Sequence, residues 1–276
     1  MLCVQMAYSL EKPRHREVGD AMKMGLQASR CLLTTAGQGT PHALVVYGWC
    51  EPATEFKRRG VPVVTMDMPW FDRRPGEGPL SKVKISVNHW HPTAYFQRRP
   101  KPNDRWEKFG LPILPMRRRG GHIVVAGSGP KSSVRDGNQF QQWERDAIAA
   151  LVDQTDRPII YRPKPYMKSA PPPQILGATM DVTTPLEDLL RNAHAVITRQ
   201  SNVAVDAIRL GVPVFCWEGV GSALGLQNLG LLEDPRIPTE DERRQFFADL
   251  AYCQWGLTEI QDGTAWRHLV AEGLIQ

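Results

Sequence analysis

The chain has 276 residues, 42% of them hydrophobic, and a formal net charge of +5. That length suits two compact domains with real cores, and with no apolar run of 18 residues a hydrophobic membrane-spanning helix is excluded. The N-terminal MLCVQMAYSLEKPRHREV lacks the basic start and long apolar core of a signal peptide. Five scattered cysteines without close pairs argue against a zinc or disulfide framework and point to reduced thiols in a cytoplasm.

Charge is unevenly spread. Residues 1–119 hold 20 Lys and Arg against 10 Asp and Glu, and residues 120–276 hold 14 against 19. A basic first half predicts a polyanionic partner, with plain solubility as the alternative.

In chain order, VQMAYS reads as a strand. RHREVGDAMKMGLQASR reads as a helix, with Val18, Met22 and Leu26 a turn apart. HALVVYGW is a buried strand, PATEFKRRG a helix with a glycine stop, and VPVVTMDMPW the next strand. FDRRPGEGPLSK is turn-rich, VKISVNHWHPTAYF a strand and loop, and the Pro-rich basic stretch from Gln97 to Gly121 a linker. The pattern then restarts. HIVVAGSG is a strand ending in glycines, QQWERDAIAALVDQT an amphipathic helix, and RPIIYRPKP a strand that proline ends. PLEDLLRNAHAVIT gives a helix, with Leu186, Leu189, Leu190 and Ala193 on one face, and then a strand. After it, ITRQSNVAVDAIRLGVPVFCWEG runs strand, helix, strand, and the tail reads as helical with a break at Asp262-Gly263.

Strands alternating with helices predict parallel sheets. RRGVPVVTMD (58–67) and RLGVPVFCWE (209–218) repeat a helix end, a glycine, Val-Pro-Val and a strand ending in an acid. The expected fold is therefore α/β: two Rossmann-like domains, residues 1–115 and 116–276, with a cleft between them.

Ligands of open parallel sheets bind beyond the carboxyl ends of the strands. In the second half those positions hold Gly127, Ser128, Gly129 and Lys131; Arg162 and Lys164; Arg199, Ser201 and Asn202; and Glu218, Gly219, Gly221 and Ser222. Glycines admit a ligand close to backbone, the cations suit phosphate, and Ser201 and Asn202 open a helix whose free N–H groups attract anions. Glu218 suits sugar hydroxyls. Together they predict a site for a nucleoside-diphosphate sugar. Ser201 and Asn202 are equally good helix caps whatever the function. The Gly-Ser-Gly turn is neither a P-loop nor a full dinucleotide fingerprint. In the first half, Asp67 ends a strand, His89 and His91 titrate near neutral pH, and Trp49, Trp70 and Trp90, with Asp72 and Arg73 beside them, could meet an acceptor. A lone His-x-His is a weak metal signal, and no metal is expected.

PLEDLLRNAHAVITRQSNVAVDAIRLGVPVF resembles the donor-domain signature of GT-B-type glycosyltransferases: a strand, a small polar pair, a helix, then Gly-x-Pro-Val. IIYRPKP is similar to the Arg-x-His-Pro strand end of capsule- and phage-type relatives, with Lys164 where histidine is usual. Gly48-Trp49 and the late Leu250-Ala251-Tyr252-Cys253-Gln254-Trp255 resemble marks of small phage-encoded proteins of this type. The resemblance implies a donor of UDP or GDP type in the second domain and the acceptor in the first.

The expectation is a cytoplasmic, metal-independent glycosyltransferase. Lys131, Lys164, Arg199 and the helix after Ser201 would stabilise the departing diphosphate. Asp67, His89 or His91 would deprotonate the acceptor, with Asp67 preferred because it follows a core strand. Charge and phage resemblance suggest a hydroxymethylated base in DNA as acceptor, flipped out against an aromatic. The alternatives are a transferase acting on a polysaccharide or small molecule, a non-catalytic nucleic-acid- or protein-binding module, and an epimerase.

Overall fold

The computed structural model describes the chain apart from residues 36–37, 72, 74–81, 93–99, 118, 136 and 166–171. Asp72 and most of the turn-rich segment expected at 71–82 therefore lie outside the described residues. The elements are β1 (Cys3–Ala7), α1 (Pro13–Ala28), β2 (Leu32–Thr34), β3 (Ala43–Tyr47), α2 (Glu51–Arg58), β4 (Val63–Asp67), β5 (Lys82–Val87), α3 (Asp104–Glu107), β6 (His122–Ala126), α4 (Pro130–Arg135), α5 (Gln142–Val152), β7 (Ile159–Arg162) and β8 (Thr179–Met180). They continue with α6 (Leu186–Arg191), β9 (Ala193–Thr198), α7 (Val203–Arg209), β10 (Val214–Cys216), α8 (Glu240–Ala251), β11 (Gln254–Gly256), α9 (Leu257–Gln261) and α10 (Thr264–Ala271).

The chain divides into two units, Met1–Phe109 with Ala248–Gln276, and Gly110–Phe247. In unit 1 the strand order is β11-β5-β4-β3-β1-β2. β2, β1, β3 and β4 are parallel, whereas β5 runs antiparallel to β4 and β11 antiparallel to β5. α1 buries Val18, Met22 and Leu26 against Val45, Val64 and Val83, and Trp255, Ile260 and Trp266 from the tail complete that core. Unit 2 is a parallel sheet in the order β10-β9-β6-β7-β8. β9 is buried along its whole length, as the continuous apolar run of a covered parallel strand requires. α5 packs Ile148 and Leu151 on one core with Ile123, Val125 and Ile197.

The internal echo is structural. Gly60 and Gly211 both end a helix with φ of 76° and 74°, a left-handed cap that a side chain would strain. Val-Pro-Val then leads into β4 in one unit and β10 in the other.

The tail departs from the expectation that residues 116–276 form one domain. β11 pairs with β5, with Trp255 opposite Val83, so the last 29 residues join unit 1. The charge asymmetry shrinks accordingly: unit 1 carries 18 Lys and Arg against 14 Asp and Glu, and unit 2 carries 16 against 15. The expected linker is also structured in part. Lys101 is buried and pairs with Glu272 at 2.5 Å, and Trp106 of α3 is buried. Ala193 belongs to β9 rather than to the preceding helix, which ends at Arg191.

Candidate functional site

Because β6, β7, β9 and β10 are parallel, their carboxyl ends share one edge of the unit 2 sheet. Direct contacts tie the four ends together. Gly127 N donates to Arg162 O at 2.9 Å, and Thr198 Oγ1 donates to Ala126 O at 2.9 Å. Arg199 donates to Glu218 Oε1 at 2.9 Å, and Glu218 N returns a bond to Arg199 O at 2.7 Å.

The turn after β6 is held from below. Glu144, 1% exposed, accepts from Ser128 N at 2.5 Å. Ser128 Oγ is buried with no hydrogen-bond partner among the described residues, and such a group is costly unless something else meets it. A Cβ on Gly129 would lie 3.3 Å from Lys164 Cδ and 3.9 Å from its Nζ. The glycine thus lets a bare backbone turn sit against an ammonium group. Lys131 and Lys164 are exposed.

Other expected residues take mainly architectural parts. Arg162 pairs with Asp181 at 3.2 Å, whose carboxyl is held below the usual range by Thr184, then Thr183 and Arg162. Ser201 Oγ accepts from Val203 N at 3.3 Å, and the Asn202 side chain makes no capping bond. Ser222 Oγ donates to Gly219 O at 2.7 Å. A Cβ on Gly221 would fall 2.4 Å from Ala204 Cβ, so this turn is pressed onto α7.

In unit 1, Asp67 Oδ1 accepts from Met68 N at 2.7 Å, and Oδ2 faces the buried Lys84 Nζ at 3.7 Å. His89 and His91 lie elsewhere. Because β5 is antiparallel, its carboxyl end meets the start of β4: Asn88 N donates to Val63 O, and Val63 N to Asn88 Oδ1, each at 2.8 Å. Both histidines line a cavity of about 280 Å³ together with Tyr252, Cys253 and Leu274. Trp70 is fully buried and has no face to offer a ligand. Lys84 Nζ lies 5.4 Å from its ring and 5.7 Å from that of Trp90. Trp49 is half-buried, its Nε1 donating to Thr54 Oγ1 at 3.0 Å. Arg73 is half-buried.

No protein-family model matches the chain, and no curated protein matches it. Solved structures do. The chain is similar to the beta Kdo 2,7 transferase of Thermosulfurimonas dismutans KpsC, at 13% identity and TM-score 0.55 over 97% of this chain and 100% of that one. It is also similar to the beta Kdo 2,4 transferase of the same KpsC, at 12% identity and TM-score 0.53 over 89% of each chain. The fold is that of the GT-B glycosyltransferases.

Several residues at the carboxyl edges escaped sequence reasoning. Glu144 lies 16 positions beyond the turn it holds. Trp143 and Trp217 meet edge to face at 5.6 Å; Trp217 directly precedes Glu218, and that adjacency was the available signal. In unit 1 the His15 ring lies 4.2 Å from that of Tyr47, where the first turn of α1 meets the end of β3. Among the described residues no group of three His, Cys, Asp or Glu is arranged to hold a metal ion, and no helix is long and apolar enough to cross a membrane.

Proposed function

We propose that the chain is a glycosyltransferase that takes a nucleoside-diphosphate sugar of UDP or GDP type at the carboxyl edge of the unit 2 sheet and transfers the sugar to a hydroxyl. The observation that carries this reading is the seating of Lys164 against Gly129, which joins a side-chain cation and open backbone at one strand end. Arg199 and Lys131 add charge there, and Glu218 suits a sugar diol. Fixed donors around a departing phosphate are worth about 3 kcal/mol each in the transition state. The GT-B fold supports the same reading.

The acceptor has two readings. A hydroxymethylated base in DNA, as in phage genome modification, is supported by the basic residues 1–119. The shrinking of that excess in the folded unit favours the second, a saccharide hydroxyl.

A thermal-shift panel of UDP, GDP and their sugars tests the donor. Ligand at 100 times its Kd adds about 2.7 kcal/mol, and Lys164→Ala should remove the shift. A well-folded protein that no nucleotide stabilises would sink the proposal in favour of a non-catalytic binding module. For the acceptor, anisotropy with hydroxymethylated duplex should weaken steeply between 50 and 200 mM salt, about 0.9 log units in K per log unit of salt for each phosphate contact. Absence of binding leaves the saccharide reading.

A further inference from the structure

We infer that Gln141 is a positioning residue for the donor's diphosphate: its side-chain amide sets the turn after β6 against Lys164. This rests on the glycosyltransferase reading and deepens it, within unit 2 alone, and four observations lead to it.

The first is what Gln141 does not do. It stands just before α5, with φ of 63° and ψ of 8°. A residue at that place is ordinarily extended and caps the helix with its side chain. Gln141 is left-handed, a conformation that a side chain strains, and its side chain makes no capping bond. The side chain is buried instead.

The second is what it holds. Nε2 donates to Tyr161 Oη at 3.2 Å and to Pro173 O at 3.0 Å, which uses both protons of the amide. Tyr161 precedes Lys164 in the chain and Pro173 follows it. One side chain therefore ties down the backbone on both sides of that lysine.

The third is what rests on Tyr161. The ring is buried in β7, and a Cβ on Gly127 would fall 2.9 Å from its Oη. The phenol oxygen thus lies directly beneath the backbone of the turn after β6. At the far end of the same turn, Gly129 meets the Lys164 side chain. Gln141 governs both partners of that contact, the turn through Tyr161 and the lysine through the chain around it.

The fourth is the middle of the turn. Glu144, in the first turn of α5, accepts from Ser128 N, and Ser128 Oγ is buried with no hydrogen-bond partner among the described residues. The turn is held from below at Gly127 and Ser128, while a hydroxyl and a neighbouring ammonium keep donors that phosphate oxygens accept.

The test uses the full chain and calorimetry with UDP and uridine, or GDP and guanosine, whichever diphosphate stabilises it, at a temperature where circular dichroism shows the proteins folded. Gln141→Asn tolerates the left-handed backbone but is one methylene short of both partners. Gln141→Gly relieves the backbone and removes the amide. Each should weaken the diphosphate at least about 10-fold, the worth of a hydrogen bond to a charged group, and leave the nucleoside within about threefold. Tyr161→Phe should act in the same direction, and joined to Gln141→Asn it should add little, because one contact links the two. Diphosphate affinity within about threefold of wild type in both Gln141 variants overturns the inference and leaves the donor reading standing. An equal loss for diphosphate and nucleoside does the same, since a merely structural residue would weaken both. If neither Gln141 variant folds, Tyr161→Phe decides by these two measures. A wild-type protein that neither diphosphate stabilises overturns both readings.

Discussion

Arg199 and Glu218 form an ion pair at 2.9 Å that ties the turn after β9 to the turn after β10. The pair is exposed enough, 16% and 48% at its two side chains, to add under about 1 kcal/mol to stability. Glu218→Gln should therefore leave the urea midpoint nearly unchanged, and Arg199→Ala is the variant that tests the ligand. If Arg199 also meets phosphate, nucleotide affinity measured by calorimetry should fall about 10- to 100-fold, the worth of a charged hydrogen bond. An unaltered Kd would remove Arg199 from the site.

Glu144 acts below the same edge. Glu144→Ala leaves Ser128 N without its acceptor, and the expected loss is roughly 1–3 kcal/mol. Glu144→Gln keeps an acceptor oxygen and should recover most of it. Chemical denaturation of the three proteins checks the order.

Gln254 is fully buried, and its side chain meets three backbone groups: Trp70 N at 2.8 Å, Phe71 N at 3.1 Å and Phe71 O at 3.0 Å. Gln254→Ala should cost roughly 3 kcal/mol, since each buried group left unmet costs about 1–3 kcal/mol. A denaturation midpoint equal to that of wild type would contradict this anchoring.

His122 gives acid sensitivity. Burial lowers its pKa from the ordinary 6.5, partly opposed by the Leu189 carbonyl and Asp181. The fold therefore favours the neutral ring, and below about pH 6.5 the unfolded chain binds the proton first. Stability should fall as pH drops from 6.5 toward the folded pKa. His122→Asn should flatten that limb in a series of Tm values against pH.

Two thiols should resist alkylation. Burial pushes Cys216 up to about 12 and Cys253 well above its usual value. With iodoacetamide at pH 8, mass spectrometry should find label on the half-buried Cys3 and Cys50 before either of these. Early labelling of Cys216 would show that the turn after β10 opens readily.

The strand ends of unit 2 were legible in sequence because each apolar run stops at glycine or a charged residue, and an all-parallel sheet puts every such stop on one edge. The same reasoning did not foresee that β5 runs antiparallel to β4, because the pattern VKISV says that a strand exists and nothing about its direction. β11 was invisible for another reason. Three residues, Gln254–Gly256, carry no periodicity, and their strand state comes from pairing with Lys82–Lys84. Trp70 looked available for stacking because no local pattern shows that it is buried, with Lys84 5.4 Å from its ring. Lys84 and Lys101 are buried beside carboxylates, and no local pattern in the sequence announces it.

The return of the tail to unit 1 also orders events in time. Gln254 and Trp70 are 184 positions apart, and a ribosome adding about 5–20 residues per second needs about 10–40 s to make that stretch. Once made, β5 waits through the rest of it with an unpaired edge, the kind of edge that invites wrong partners. All of Gly110–Phe247 is made before β11 exists. The nascent chain thus has Gly110–Phe247 in hand while its first unit is still unfinished, and a segment made after it closes the first sheet begun.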